Sequence, residues 1–264
     1  MSDNTTDYWS DQNMERLTFP DEYPVQLMVN GRELATFQLS LTGLEDWTIG
    51  YLYSEGLIAS SEEIEELKVR DDLGRIDVEV AEEKESLFFG ERKKHYTAGC
   101  GKGITFFSQS DVRDFPEVRS VRQVTLSYLL KQMAAFGKQT PLYDQTGGMH
   151  GACLFGLDGE MIVYEDIGRH NAVDKVLGYA VRHALPAEEL ILLTSGRISY
   201  EMMAKAAKYG IGIVGSRTTP THQAVQIANY LGVEVVAYMR GRRAEVCTNH
   251  GRVEHDLKHL LEER

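Results

Sequence analysis

Apolar and polar positions alternate through "VQLMV" and "LATFQLSL", which lie on either side of Asn30-Gly31. A period of two sends one face of each strand to a core, and Asn-Gly suits the two positive-φ positions of a tight turn, so the pattern predicts an antiparallel hairpin. The period then lengthens. Leu44, Trp47, Tyr51 and Leu52 recur at helical spacing, with Thr42 and Glu45 placed as a capping box and Gly56 as a stop. Beyond a polar turn at Ser60 to Glu63, "LKVR" and "RIDVEV" flank Asp71-Asp72-Leu73-Gly74 and predict a second hairpin. Strand, strand, helix, strand, strand describes a small α+β unit.

A helix is predicted within "VRSVRQVTLSYLLKQMAAFGKQT", with Leu126, Leu129, Leu130 and Met133 on one face and Gly137 at its end. From residue 148 the rhythm becomes strand and helix in turn. "ACLFGL" and "MIVYEDI" surround Asp158-Gly159 as a hairpin, and "HNAVDKVLGYAVRHA" sets Ala172, Val173, Val176, Leu177, Ala180 and Val181 on one helical face. "LILL" and "IGIV" each lead through a polar loop into an amphipathic helix, and "VEVVAYM" follows as a last strand. Successive strand, loop, helix units predict a largely parallel sheet covered by helices. The division expected is an acidic, flexible tail over 1–18, a small α+β domain over 19–115, and an α/β domain over 116–264.

Composition narrows the function classes. In 264 residues, 42% are hydrophobic and 26% charged, which suits a globular protein with cores of its own. A formal net charge of -12 argues against a general nucleic-acid or anionic-membrane binder. No apolar run approaches the ~18 residues of a membrane span, and "MSDNTTDYWSDQNMER" has no signal-peptide pattern, so a cytoplasmic location is expected. The 3 cysteines, Cys100, Cys153 and Cys247, are widely spaced and show no Cys-x-x-Cys pair, which fits free thiols in a reducing compartment and no zinc site.

One of these cysteines stands apart. Cys100 lies in "YTAGCGKGITFF" among Gly99, Gly101 and Gly103, with Lys93, Lys94, His95 and Lys102 close in sequence. Glycine leaves a thiol little to pack against, and nearby positive charge favours the reactive thiolate. The plainer reading is a loop cysteine without consequence. Cys153 and Cys247 lie in apolar, strand-like runs and read as inert structural thiols, although His150 is close enough in sequence to Cys153 to suggest a base.

In a sheet of this kind ligands bind beyond the carboxyl ends of the strands, here the loops at 194–197, 215–220 and 240–243. Gly215, Ser216, Arg217, Thr218, Thr219 and Pro220 combine a glycine for close backbone approach, three hydroxyls, a guanidinium and a helix start, a set suited to phosphate. The alternative is an ordinary N-capped helix with Pro220 in its first turn. "TSGR" and "RGRR" at neighbouring strand ends favour a ligand with several phosphates. In "EDIGRHNAVDK", helix capping by Gly168 and Asn171 and an Asp166–Arg169 pair are expected in place of a metal site.

Taken together and in order, "AGCGKG", "GGMHGACLF", "EDIGRHNAVDKVLG", "TSGRISYEMMAKAAKYGI", "SRTTPTHQAVQIA" and "GRRAEVCTN" resemble the FdhD/NarQ family of formate dehydrogenase accessory proteins. "VNG" and "WTIGYLYSEGLI" extend the resemblance over about residues 22–252. The resemblance implies a sulfurtransferase: Cys100 takes sulfur from a cysteine desulfurase as a persulfide and passes it to the bis-guanine-dinucleotide molybdenum cofactor before insertion into formate dehydrogenase. It further implies that residues 215–220 contact the guanine-nucleotide part of that cofactor, that the second domain has a cytidine-deaminase-like α/β/α fold, and that the protein is a homodimer. The family loop often reads Cys-Gly-x-Cys-Gly, and here Gly103 occupies the second cysteine position. A relay between two loop thiols therefore has no second thiol, whereas a persulfide needs only one. Two rivals stand beside this reading: a chaperone that binds the cofactor without moving sulfur, and a zinc-dependent deaminase. The deaminase lacks its Glu after His150 and its cysteines after Pro220.

Overall fold

The computed structural model of the protein describes residues 5–9, 14–89, 95–96, 104–105, 115, 117–156 and 159–256, with 5–9, 14–17, 95–96 and 104–105 placed as backbone only. Within the stretch expected as a tail, β1 (Thr5–Trp9) pairs antiparallel with β2 (Met14–Thr18). Threonine and aromatic residues in β1 favour extended backbone over the acidic-tail character that Asp3 and Asp7 suggest.

β3 (Tyr23–Val29) and β4 (Arg32–Leu39) form the first predicted hairpin, with Asn30 at φ 46 and Gly31 at φ 74 in its turn. α1 (Leu44–Ser54) follows, but the capping box does not form. Gly43, left-handed at φ 66, takes the N-cap position with no side-chain cap, because an added Cβ there would meet the Tyr164 ring at 2.5 Å. β5 (Ile64–Arg70) and β6 (Arg75–Val80) form the second hairpin, and β6 also lies parallel to β3. The sheet order is β4-β3-β6-β5, and its buried face packs on Leu44, Trp47 and Leu52 of α1. α2 (Glu85–Phe89) closes this unit. A short antiparallel ladder, β7 (His95–Tyr96) with β8 (Ile104–Thr105), brackets the segment 97–103.

β9 (Val124–Thr125) precedes α3 (Leu126–Phe136), which Thr125 caps by accepting from the Tyr128 N–H at 3.2 Å. α4 (Pro141–Thr146) is followed by β10 (His150–Phe155), β11 (Met161–Asp166), α5 (Arg169–Arg182) and β12 (Ile191–Thr194). Then come α6 (Tyr200–Tyr209), β13 (Ile213–Ser216), α7 (His222–Leu231), β14 (Glu234–Arg240), β15 (Arg243–Val246) and β16 (Val253–Glu254), the last parallel to β9. The main sheet has the order β11-β10-β12-β13-β14-β15. It is mixed, not largely parallel: only β12, β13 and β14 run together, and the hairpins β10–β11 and β14–β15 flank them with antiparallel pairs. A short connection, 156–160 between β10 and β11 and 241–242 between β14 and β15, returns the chain to the neighbouring position, so each hairpin adds an antiparallel edge.

The two sheets are joined through α1 and α5, which pack closely. Gly50 and Gly178 face each other at the crossing: an added Cβ on Gly178 would lie 1.7 Å from the Asp46 carbonyl oxygen, and one on Gly50 would lie 1.8 Å from that of Asp174. Beside the crossing sits a fully buried ion pair. Lys175 Nζ donates to Asp166 Oδ2 at 2.6 Å and to Ser40 Oγ at 2.8 Å, and the Ser40 N–H donates to the same carboxylate oxygen at 3.0 Å. Asp166 thus pairs with Lys175 and not with Arg169. Lys175, a turn and a half into the helix, faces back onto the end of β11, and every lone pair and N–H that desolvation would penalise is met there. A second pair, Lys205 with Asp174 at 2.6 Å, ties α6 to the same helix.

Candidate functional site

The carboxyl ends of β12, β13 and β14 lie side by side and open into a cleft of about 460 Å³. Its walls include Phe136, Gly137, Thr140 and Tyr143 from α3 and α4, Gly148 to Gly151 at the start of β10, and Ser195, Arg217, Thr218 and Arg240 at the strand ends. The loop after β13 is knit to both neighbours. The Arg217 N–H donates to the Thr194 carbonyl at 3.2 Å, Arg240 Nε donates to the Arg217 carbonyl at 3.0 Å, and the Tyr238 N–H donates to the Thr218 carbonyl at 2.9 Å. Tyr238 adopts φ 52 at the irregularity between Ala237 and Arg240 in β14, a conformation a bulky residue adopts only where surrounding contacts impose it. The bulge leaves Arg240 on the cleft beside Arg217.

The six residues singled out at 215–220 divide by position. Arg217 and Thr218 line the cleft. Gly215 is needed for packing, since a Cβ would lie 2.5 Å from Leu193 Cδ2 and 2.7 Å from Met239 Sδ. Ser216 is buried; its Oγ donates to the Gly196 carbonyl at 2.7 Å and accepts from the Thr218 N–H at 2.9 Å, shaping the loop from below. Thr219 and Pro220 run alongside Ile198, and Pro220 precedes the helix instead of sitting in its first turn, because Thr221 is the N-cap and accepts from the Ala224 N–H at 3.2 Å. Arg217 Nη1 comes within 3.8 Å of where a Gly137 Cβ would be, next to the carbonyl end of α3, which favours a cation.

Tyr143 escaped the sequence reading. Its helix is short, and the residue that fixes it is remote: the Glu165 carboxylate accepts from the Leu142 N–H at 2.9 Å and the Tyr143 N–H at 2.7 Å. Pro141 at the first helical position with the glycines of "TGG" behind it was the available signal. His150 also lines the cleft, and burial together with the Arg169 charge lowers its imidazole below the ordinary value despite the opposing Asp166. Among the described residues, no group of three or more His, Cys, Asp or Glu side chains is arranged to hold a metal ion.

Cys153 and Cys247, the two described thiols, are both free and both raised by burial. Cys153 is buried on β10, and burial pushes its thiol up to about 12; His150, three residues away on a strand, faces the other side of the sheet. Cys247 follows β15, and burial and then Glu245 raise its thiol as well. Cys100 lies outside the described residues, in the segment that β7 and β8 bracket.

His170 sits below the cleft, its Nε2 2.9 Å from Ser199 Oγ. Burial first, then the charges of Lys205, Arg169, His150 and Arg197, hold its imidazole down to about 3. The unfolded chain takes up that proton near pH 6.5, so the contribution is full above that value and is lost as pH falls toward 3. Between pH 7 and 5 the neutral imidazole is expected to cost roughly 2 kcal/mol of stability. Denaturant midpoints measured across this range should fall on acidification, and His170→Gln should flatten the fall; parallel profiles for the two proteins would refute this assignment.

A family model described as the FdhD/NarQ family matches residues 20–254. A protein named sulfur carrier protein FdhD from Bacillus licheniformis is 36% identical over 233 residues, covering 88% of this chain and 89% of its own. One of the same name from Staphylococcus haemolyticus is 34% identical, with 84% of each chain covered. A crystal structure described as a formate dehydrogenase accessory protein from Desulfotalea psychrophila superposes with a TM-score of 0.76 at 25% identity, over 95% of this chain and 97% of the other. Among the described residues, no helix is long and apolar enough to cross a membrane.

Proposed function

The chain belongs to the FdhD/NarQ family, and on that premise we propose that it is a sulfur carrier serving a formate dehydrogenase. The Cys100 thiolate attacks the terminal sulfur of a persulfide on a cysteine desulfurase; the new S–S bond forms on Cys100 as the old one breaks, and the desulfurase cysteine leaves as a thiolate. The sulfur is destined for the molybdenum cofactor with two guanine dinucleotides, which is the cargo and not a resident group. The observation that carries this reading is the placement of Arg217 and Arg240 together on one cleft at the strand ends, where two guanidinium groups meet the phosphates of a dinucleotide. On an otherwise acidic protein such a cleft selects its anion locally.

The order of elements around the six-stranded sheet supports a cytidine-deaminase-like second domain, and the proposed assembly is a homodimer in the cytoplasm. Gly103, in place of a second loop cysteine, favours one alternative: a chaperone that binds the cofactor and delivers it without moving sulfur. Expression in cells that lack their own carrier tests the function. Restored formate dehydrogenase activity is the expected result, and no activity with the protein present and the apoenzyme intact would contradict it.

A further inference from the structure

We infer that Tyr143 is the base-stacking residue of the cleft, so that the nucleotide is held by its ring on α4 and by its phosphates on Arg217 and Arg240. This rests on the nucleotide-holding function proposed above and adds to it the residue that recognises the planar part of the ligand.

A nucleotide presents two unlike surfaces, an anionic diphosphate and an apolar ring face, and a cleft that holds both needs a cationic wall and an open aromatic face. The cationic wall is supplied by Arg217 and Arg240 at the ends of β13 and β14. Among the described residues, the rings on the cleft are those of Phe136, Tyr143 and His150, and burial lowers the His150 imidazole. Phe136 is only 1% exposed and is committed to the core beneath the sheet, so its ring is closed to a ligand. Tyr143 is 42% exposed. A large aromatic group left open on a cleft forgoes the stabilisation of burial unless something covers it.

Its backbone is nevertheless held firmly. Both Glu165 oxygens accept from N–H groups at the start of α4, and Glu165 is itself buried at the end of β11. That carboxylate also satisfies the N–H groups an anion would otherwise seek there, so the aromatic ring is what α4 offers a ligand. The opposite end of the helix is fixed by Gly147 at φ 66, whose N–H donates to the Tyr143 carbonyl at 2.7 Å. A ring carried by a backbone pinned at both ends loses little freedom when a base stacks on it.

Calorimetric titration of the full chain with guanosine diphosphate and, separately, with inorganic pyrophosphate separates the two walls. Tyr143→Ala is expected to weaken guanosine diphosphate roughly 5- to 100-fold and to leave pyrophosphate unchanged. Tyr143→Phe, which keeps the ring, is expected to bind both as the unaltered protein does. Arg217→Ala should weaken both ligands. Unchanged guanosine diphosphate affinity in Tyr143→Ala would overturn the inference, and so would an equal loss of both ligands, which marks a collapsed cleft. If the unaltered protein binds pyrophosphate but prefers guanosine diphosphate no more than pyrophosphate, stacking fails while the anion site stands. If it binds neither, the nucleotide-holding function fails and the inference with it.

Discussion

Replacing Cys100 with alanine is expected to abolish activation of formate dehydrogenase, by roughly 1,000-fold or more, while guanosine diphosphate still binds the cleft with unaltered affinity. The magnitude follows from the chemistry: sulfur moves by attack of a thiolate, and loss of the only nucleophile in a covalent transfer removes the route instead of slowing it. Cys100→Ser should fail as completely, because a hydroxyl is not ionised near neutral pH. The other thiols offer no detour. Cys153 is buried, with its thiol pushed up to about 12, and Cys247 is raised by burial and by Glu245. Cys153→Ala and Cys247→Ala should therefore keep activation, apart from any loss of folded protein. Equal activation by Cys100→Ala and the unaltered protein would leave the delivery chaperone as the surviving function.

The second large effect is on folding. Gly178 lies within α5 and Gly50 within α1, at helical φ values where alanine is ordinarily better than glycine by up to about 1 kcal/mol. Here the sign is reversed. The new methyl group on Gly178→Ala would lie 1.7 Å from the Asp46 carbonyl oxygen, and on Gly50→Ala 1.8 Å from that of Asp174. Both obstacles are backbone, so neither can rotate aside, and relief requires α1 and α5 to separate. Separation would open the crossing beside the buried Lys175–Asp166 pair, and a charge exposed to imperfect pairing adds to the cost of the clash. Each substitution is expected to destabilise by at least about 3 kcal/mol, read as a fall in the denaturant midpoint or as loss of folded protein. A midpoint at or above that of the unaltered chain would show that the helices do not cross this closely.

The sequence and the structure agree where the relevant physics is local. Asn30-Gly31 announced its turn because both residues tolerate positive φ, and Ala172 to Ala180 announced the buried face of α5 because the spacing of apolar residues is a property of one helix. The strand-end loops around Arg217 and Arg240 could likewise be anticipated, since successive strand and helix units align strand ends. What was hidden depends on partners far along the chain. Nothing near Gly43 indicates that Tyr164 will close over it and displace the capping box. Nothing near Asp166 reveals that Ser40 and Lys175 will outcompete Arg169, and nothing near Tyr143 shows that Glu165 will hold its helix against the cleft. The mixed sheet was missed for a related reason: strand periodicity says where a strand lies but not on which side its hairpin partner inserts.

The central claim is that one thiol, Cys100, carries the sulfur. Incubation of the purified protein with a cysteine desulfurase and cysteine, followed by intact mass and peptide mapping without reductant, tests it directly. The account predicts an added sulfur on the Cys100 peptide, absent from those of Cys153 and Cys247 and removed by reductant; no adduct, or one confined to another cysteine, with a desulfurase that charges other carriers, would contradict it.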